Sequence, residues 1–279
     1  MKNAMQLKAK VRNIAAEKKV LPHLVLQNYM LERLLMRISI SEYKNNFIIK
    51  GGLLISSMIG IDFRTTIDMD TTIKNFSLNE VSVRDLFGRI CDVDADDNIT
   101  FLIDSVSSIR EGDLYSGFRV HLLATFESMK VSVKVDVTTG DIITPEEIDF
   151  EYKTMFSEEM IPIKTYNIET MLAEKLETII SRSIQNTRPR DFYDIYILEK
   201  LFFDRIDLVI LARALEATSL HRGTNESFNE YREILMEIEA DETMKARWSG
   251  YAGEYSYASG IEFKDTVKSA IRLLDATIS

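Results

Sequence analysis

The sequence is poor in the residues that build disulfides and zinc sites. Cys91 is the single cysteine in 279 residues, so no disulfide can form within the chain, which suits a reducing compartment. The three histidines lie far apart in the sequence, at His23, His121 and His221. This spacing gives little support to a zinc site or to a catalytic triad built on histidine.

Long apolar segments are also missing. The apolar stretch at residues 51–61 is shorter than the roughly 20 residues that a membrane-spanning helix needs, and Lys50 precedes it. The beginning of the sequence lacks the apolar core of a signal peptide. We therefore expect a cytoplasmic protein without a membrane partner.

Positive charge is in the minority. The 34 Lys and Arg residues are outnumbered by 44 Asp and Glu residues, which gives a formal net charge of −10. This balance argues against a protein coated in positive charge for indiscriminate nucleic-acid binding. It leaves room for local basic faces, and two segments qualify: the lysine-rich residues 1–20, and a cluster formed by Arg182, Arg188 and Arg190.

Hydrophobic periodicity divides the chain into an α/β region and a helical region. In the first region, helical spacing predicts helices at residues 5–19, 21–39, 52–60 and 79–91. A short apolar segment at 47–50 precedes strands predicted at residues 67–73, 99–109, 117–127 and 129–138, and residues 139–152 are predicted as a loop or an edge. Helices are then predicted at 168–182, 190–201, 204–217, 225–239 and 261–276. With a junction near 155–167, we predict domains at residues 1–160 and 161–279.

Two aspartates stand two positions apart in the strand segment IDMDTTI. On a strand, Asp68 and Asp70 face the same side, and two close carboxylates repel each other unless a cation lies between them. Mg²⁺ prefers carboxylate and phosphate oxygens, and a site with two ions needs further ligands. Asp136, on the polar face of a strand with alternating valines, is the candidate third carboxylate, and Lys134 lies beside it. The alternative is an ordinary solvated strand face.

A glycine pair precedes the aspartates. Gly51 and Gly52 open a short predicted helix, whose first N–H groups and positive dipole end can bind a triphosphate at close range. Ser56 lies one turn later and can add a hydroxyl contact. Arg64, just before the aspartates, can contact phosphate or hold its loop by an ion pair. The alternative for the glycine pair is an ordinary turn.

These segments together resemble a known group of enzymes. The pattern GG…DMD…KVDV is similar to that of the nucleotidyltransferase superfamily that includes DNA polymerase β. More closely, FIIKGGLLIS, FRTTIDMD and MLAEKLETIISR…RPRDFYDIYIL resemble the AbiEii/AbiGii-type toxin nucleotidyltransferases of abortive infection, over residues 21–201. The resemblance implies an α+β fold: a polymerase-β-like mixed sheet with flanking helices, followed by an all-helical C-terminal domain.

The resemblance also implies active-site residues in the helical region. Lys175 can contact the nucleotide's phosphates as a mobile point charge, and Asp191 joins the active site with Asp194 behind it. Without the resemblance, Lys175 is an ordinary surface lysine and Asp191 a favourable carboxylate in the first turn of a helix. Phe192 and Tyr193 are predicted to pack in the core, and the alternative is that one of them stacks on a base.

The implied function is metal-dependent nucleotidyl transfer by a toxin that has a cognate antitoxin. In this hypothesis two Mg²⁺ ions and an NTP occupy the site, and the acceptor hydroxyl belongs to an RNA, with a tRNA 3′ end as the candidate. One alternative keeps the chemistry but uses a small acceptor, as aminoglycoside-modifying nucleotidyltransferases do. A second alternative is a nucleotide-binding interaction module without catalysis.

Overall fold

The structure, a computed structural model, describes residues 1, 3–109 and 117–278, and the chain divides into two compact units. The first unit comprises Met1–Asp141 and Ile148–Thr165. The second unit comprises Ile142–Glu147 and Tyr166–Ser279. The domain boundary at residue 160 stays a prediction.

Helices of the first unit begin where the local sequence offers caps. Asn3 accepts a hydrogen bond from the backbone N–H of Gln6 at 2.9 Å, and Asn79 forms a reciprocal capping box with Ser82. A proline occupies the first turn of the second helix, where its missing N–H costs nothing. The helices are α1 (Ala4–Lys18), α2 (Pro22–Ile40), α3 (Gly51–Ile59) and α4 (Glu80–Cys91).

Within the described residues, seven strands form one mixed sheet. They are β1 (Phe47–Lys50), β2 (Asp68–Ile73), β3 (Ile99–Ile109), β4 (Gly117–Phe126), β5 (Met129–Thr138), β6 (Ile148–Lys153) and β7 (Met160–Thr165). Their order in the sheet is β3-β4-β5-β2-β1-β7-β6. β2 pairs with β5 in parallel and β1 pairs with β7 in parallel, whereas the other neighbours are antiparallel. The predicted fold class, a mixed sheet with flanking helices, is confirmed.

The alternation of β5 sets the orientation of its polar residues. Val133, Val135 and Val137 are fully buried, and the residues between them point to the opposite face of the sheet. Lys134 and Asp136 therefore lie on a face that is only partly covered. The predicted direction of Asp136 is confirmed.

The segment predicted to join the two regions contains a strand. β7 lies within residues 155–167, and its Ile161 and Ile163 are buried. Pro162 interrupts the strand pattern, but it lies outside the short stretch in which β7 pairs with β1, at Lys164 and Thr165. A proline is tolerated there because no ladder hydrogen bond to β1 is required of it. The sequence-based assignment missed this strand, and the change between the two compact units follows it directly, at Thr165 and Tyr166, inside the segment interpreted as a junction.

The second unit is helical, as predicted. Asn167 and Asp207 cap helices by accepting backbone N–H groups, and Pro189 occupies the first position of another helix. The helices are α5 (Ile168–Arg182), α6 (Pro189–Phe202), α7 (Leu208–Arg222), α8 (Tyr231–Ala240), α9 (Glu242–Glu254) and α10 (Phe263–Ile278). The sequence-based assignment missed α9, where Gly250 and Gly253 weaken the helical signal.

The helices of both units were compared with the requirements of a membrane-spanning segment. Across residues 1, 3–109 and 117–278, no helix combines the length and the apolarity that crossing a bilayer demands.

Candidate active site

The three predicted metal ligands lie on two neighbouring strands. β2 and β5 run parallel, and their register places Asp70 beside Asp136 and Asp68 beside Lys134. Side chains two positions apart on a strand point the same way, and paired residues on adjacent strands share a face. Asp68, Asp70 and Asp136 therefore occupy one face of the sheet, although two distant parts of the sequence supply them.

The strands on either side extend this arrangement. β4 places Arg119 beside Asp136 and His121 beside Lys134, and β1 places Lys50 beside Asp70. Polar residues thus form two parallel rows across the sheet. We call them the carboxylate face: Lys50, Asp70, Asp136 and Arg119 in one row, and Asp68, Lys134 and His121 in the other.

The first predicted glycine lies directly against Asp70. Gly51 begins α3 where β1 ends, and its φ is +66°, a value that glycine adopts without strain. A β-carbon at this position would stand 2.8 Å from Asp70 Cγ and closer still to Oδ2. Glycine is therefore required here for conformation and for space. The carboxylate and the N-terminal end of α3 are consequently neighbours.

The loop before β2 packs on the second glycine. A β-carbon on Gly52 would stand 2.9 Å from Thr66 Oγ1 and 3.2 Å from Arg64 Nη2. Arg64 is buried, and its guanidinium donates a hydrogen bond to the carbonyl of Thr65. These contacts support the loop-holding alternative for Arg64. Ser56 is also buried, in the second turn of α3, and phosphate contacts by Arg64 and Ser56 stay predictions.

Arg119 holds Asp136 through both carboxylate oxygens. Its Nε lies 2.7 Å from Asp136 Oδ1, and its Nη2 lies 2.7 Å from Oδ2. This is the bidentate geometry in which an arginine recognises a carboxylate most strongly. The hydrogen bond to Asp136, together with the negative charges of Asp136, Asp68 and Asp70, raises the pKa of Arg119. All three carboxylates therefore interact with this one guanidinium.

The donor chemistry of the carboxylate face fits Mg²⁺, since three carboxylates supply the oxygen ligands that this ion prefers. However, Arg119 engages both oxygens of Asp136. Across the part of the chain that the structure describes, no group of three or more His, Cys, Asp or Glu side chains is placed to hold a metal ion. A metal bound by all three aspartates therefore requires that their side chains move, and the Arg119 guanidinium competes with that metal for Asp136.

A buried ion pair lies at the beginning of α3. Lys50 Nζ is 2.7 Å from Asp141 Oδ2, and the hydroxyl of Thr138 also donates to that oxygen. Burial opposes ionisation of Asp141, but the Lys50 ammonium and hydrogen bonds from Lys50, Thr138 and Thr72 outweigh it and lower its pKa to about 2. Since Lys50 directly precedes Gly51, this pair fixes the corner between β1 and α3.

In the helical unit, the structure brings three predicted residues together. Lys175 Nζ on α5 lies 3.0 Å from Asp191 Oδ1 and 2.7 Å from Asp194 Oδ2, both on α6. The two carboxylates thus share a helix face, as their spacing predicted. Asp191 Oδ2 is buried and has no hydrogen-bond partner among the described residues. We call these three residues the lysine triplet; it carries one excess negative charge.

The aromatic residues beside the triplet pack in the core. Phe192 and Tyr193 are fully buried. Phe192 contacts the ring of Phe263 at 5.2 Å, and Tyr193 contacts the ring of Tyr257 at 4.9 Å. The core prediction for Phe192 and Tyr193 is confirmed, and base stacking by either ring is not supported.

Sequence reasoning missed several residues of this region. Arg119 and His121 alternate on β4 with the buried residues Phe118, Val120 and Leu122. That alternation was a usable signal, because it places both basic side chains on the polar face of a predicted strand. Lys50 and Asp141 gave no comparable signal, because their pairing depends on the tertiary structure.

Comparison with solved structures finds two similar chains from Helicobacter pylori. A crystal structure from H. pylori, provisionally described as a nucleotidyltransferase, has a TM-score of 0.50 at 15% identity, covering 90% of this chain and 92% of that chain. The structure of JHP933 from the same organism has a TM-score of 0.49 at 14% identity and covers 90% of each chain. At this identity, the first likeness establishes the class of fold alone.

The sequence establishes the family. Residues 33–269 match the family described as the nucleotidyl transferase AbiEii toxin of type IV toxin–antitoxin systems. Because the match covers most of the chain, the protein belongs to this family of nucleotidyltransferase toxins. The predicted resemblance to this family is confirmed, although the match begins at residue 33 and not at residue 21, and it continues through much of the C-terminal region. Among curated proteins, none matches the chain.

Proposed function

We propose that the chain is a metal-dependent nucleotidyltransferase toxin, which transfers a nucleoside monophosphate from an NTP to an acceptor hydroxyl. The observation that carries the proposal is the register of β2 and β5, which sets Asp68, Asp70 and Asp136 on one face. Family membership supports the transfer reaction and the toxin role. Metal dependence and an RNA acceptor are parts of the proposal.

We assign the binding of two Mg²⁺ ions to Asp68, Asp70 and Asp136. When bound, the ions would neutralise the charge that develops on the attacking and leaving oxygens. Asp136 accepts the proton of the acceptor hydroxyl. The acceptor oxygen then bonds to the α-phosphorus, the bond from this phosphorus to the β-phosphate oxygen breaks, and pyrophosphate leaves. Each residue here acts by binding, orienting or accepting a proton.

The beginning of α3 is the proposed site for the triphosphate. Its first N–H groups have no partner within the helix, and no acidic side chain lies in its first turn. Gly51 and Gly52 allow phosphate oxygens to approach the backbone, and Asp70 lies against Gly51. Lys134, which pairs in register with Asp68, adds positive charge on the same face.

For the lysine triplet, we propose that Lys175 contacts the nucleotide's phosphates. Asp191 and Asp194 hold its ammonium at 3.0 and 2.7 Å, which restricts the long side chain to one orientation. A preoriented cation loses less conformational entropy on binding phosphate than an unrestrained lysine does. Asp191 and Asp194 are thus positioning residues.

The proposed acceptor is an RNA, with a tRNA 3′ end as the candidate, and the proposed setting is the cytoplasm. The basic residues 1–20 and the cluster of Arg182, Arg188 and Arg190 supply positive charge on an otherwise acidic protein. Membership of a type IV toxin–antitoxin family implies an antitoxin as a further partner.

A transfer assay tests the acceptor and the nucleotide together. Purified protein and Mg²⁺ are incubated with each α-labelled NTP in turn and with total bacterial tRNA. Label in the tRNA band, lost when EDTA replaces Mg²⁺, is the expected result. Label that resists EDTA would contradict metal dependence, and label that enters only a small hydroxyl compound would contradict the RNA acceptor.

A salt titration separates the two acceptor classes in a second way. Binding to RNA releases counterions, so the affinity for tRNA is expected to fall steeply between 50 and 200 mM salt, by roughly 10-fold or more if a few phosphates are contacted. A shallow dependence would favour a small acceptor.

A further inference from the structure

Arg119 belongs to the carboxylate face, but the proposed metal-dependent reaction gives it no role. Its guanidinium donates two hydrogen bonds to Asp136, and its positive charge interacts electrostatically with the carboxylates of Asp68 and Asp70. It therefore stands among the carboxylates to which the two Mg²⁺ ions are assigned. A cation at that place is what three neighbouring carboxylates need when no metal is bound.

We propose that Arg119 is an internal counter-ion, which holds Asp136 in the metal-free protein and releases it when a divalent ion binds. This inference rests on the proposed function, because it takes Asp136 as a metal ligand. It assigns Arg119 a positioning role: the guanidinium keeps Asp136 oriented until the metal arrives.

The geometry makes the two cations competitors. The Arg119 guanidinium donates one hydrogen bond to each oxygen of Asp136 at 2.7 Å, and its positive charge repels a divalent ion that approaches the same carboxylate. The two sides of the pair differ in mobility. Both residues lie on strands of the sheet, but the short Asp136 side chain is 15% exposed, whereas the long Arg119 side chain is 37% exposed. Arg119 is therefore the partner that moves.

Competition has a measurable consequence that a purely structural role lacks. If Arg119 must leave Asp136, then removing its charge strengthens divalent-ion binding, because the metal no longer displaces a hydrogen-bonded cation. A partly exposed bidentate pair is stronger than an exposed one and weaker than a buried one. We expect Mn²⁺ to bind Arg119→Gln roughly tenfold more tightly than the wild type.

The test is a Mn²⁺ titration of the full-length protein without nucleotide, in which the EPR signal of unbound Mn²⁺ reports binding. The matched control is Arg84→Gln, which removes one positive charge from an exposed pair with Glu80 on α4. Arg119→Lys keeps the positive charge but loses the planar guanidinium that binds both carboxylate oxygens. Its affinity for Mn²⁺ should therefore fall between those of the wild type and Arg119→Gln. The metal-free thermal stability of Arg119→Gln should fall and recover when Mn²⁺ is added.

The outcomes separate this inference from the proposed function. Tighter binding by Arg119→Gln, with Arg84→Gln unchanged, supports the inference, and so does binding seen only after Arg119 is replaced. Wild-type binding that is lost in Asp70→Asn, but is equal or weaker in Arg119→Gln, overturns the inference alone. An absence of Mn²⁺ binding in both the wild type and Arg119→Gln overturns the metal site of the proposed function and the inference with it.

Discussion

Gly51 and Asp70 lie so close together that a residue larger than glycine at position 51 would collide with the Asp70 side chain. A β-carbon on Gly51 would stand 2.8 Å from Asp70 Cγ, inside van der Waals contact. Lys50, the residue before Gly51, pairs in register with Asp70 at the corner where β1 ends and α3 begins. The glycine pair and the aspartate pair, which are separate motifs in the sequence, are therefore parts of one arrangement.

The first prediction concerns this contact. Gly51→Ala is expected to lower stability by about 2 kcal/mol or more, because alanine is strained at a φ of +66° and its β-carbon collides with Asp70. Displacement of Asp70 should also reduce label transfer more than the loss of folded protein explains. Urea unfolding and specific activity measured on the same preparation check both effects.

Gly88→Ala is the matched control for that substitution. Gly88 lies inside α4, and a β-carbon there would meet no atom within 4 Å. Alanine should stabilise the helix by about 0.5–1 kcal/mol and leave transfer unchanged. A Gly51→Ala protein that behaves like Gly88→Ala would rule out the close contact with Asp70.

A second prediction concerns the lysine triplet. Lys175→Met leaves two buried carboxylates without their cation and should lower the free energy of unfolding by about 3–5 kcal/mol. The double variant Lys175→Met/Asp194→Asn should recover part of this loss, because one buried charge is removed. Lys245→Met, which disrupts an exposed pair with Glu242, should change stability by less than about 1 kcal/mol. Equal stability of Lys175→Met and the wild type would contradict the triplet.

A third prediction uses the pH dependence of Asp141. Its pKa is about 2 in the folded protein, below the value of about 3.9 expected for an unfolded chain. The stabilisation is therefore complete above about pH 4, amounts to about 2 kcal/mol, and is lost as the pH falls toward 2.

Asp141→Asn tests this assignment. At pH 7 the variant should be less stable than the wild type by about 2–4 kcal/mol, because the buried Lys50 ammonium loses its partner. The difference should shrink between pH 4 and pH 2, where Asp141 itself becomes protonated. Asp149→Asn, at an exposed pair with Lys164, is the control and should show no such convergence. A constant difference across this range would exclude the lowered pKa of Asp141.

Local sequence patterns correctly predicted those features of the structure that depend on residues close together in the sequence. The valine alternation of β5 predicted that Asp136 points away from the core, and the proline and the aspartate spacing of α6 predicted a shared face for Asp191 and Asp194. Helical periodicity is likewise local, and the helices predicted at 21–39 and 79–91 are close to the observed α2 and α4. The resemblance placed Lys175, Asp191 and Asp194 in the active site, but their ion pairs were not predicted, because these contacts join two helices.

Contacts between strands could not be predicted in the same way. The pairing of Arg119 with Asp136 depends on the β4–β5 register, and the row from Lys50 to Asp136 depends on β2 lying between β1 and β5. Strand order is a property of the folded sheet and leaves no periodic trace in the sequence. β7 was missed for a related reason, since a segment containing Pro162 does not resemble a strand until the position of this proline outside the short pairing with β1 is known.

The most direct test of the account is label transfer by single aspartate variants of the carboxylate face. Asp68→Asn and Asp70→Asn preserve size and are compared with Asp149→Asn, which alters an exposed aspartate of the same unit. We predict that each of the first two lowers the rate by about 100-fold or more, since ligands of the proposed metal ions are lost, while Asp149→Asn retains the wild-type rate. An undiminished rate in folded Asp70→Asn would contradict the assignment of the carboxylate face as the active site.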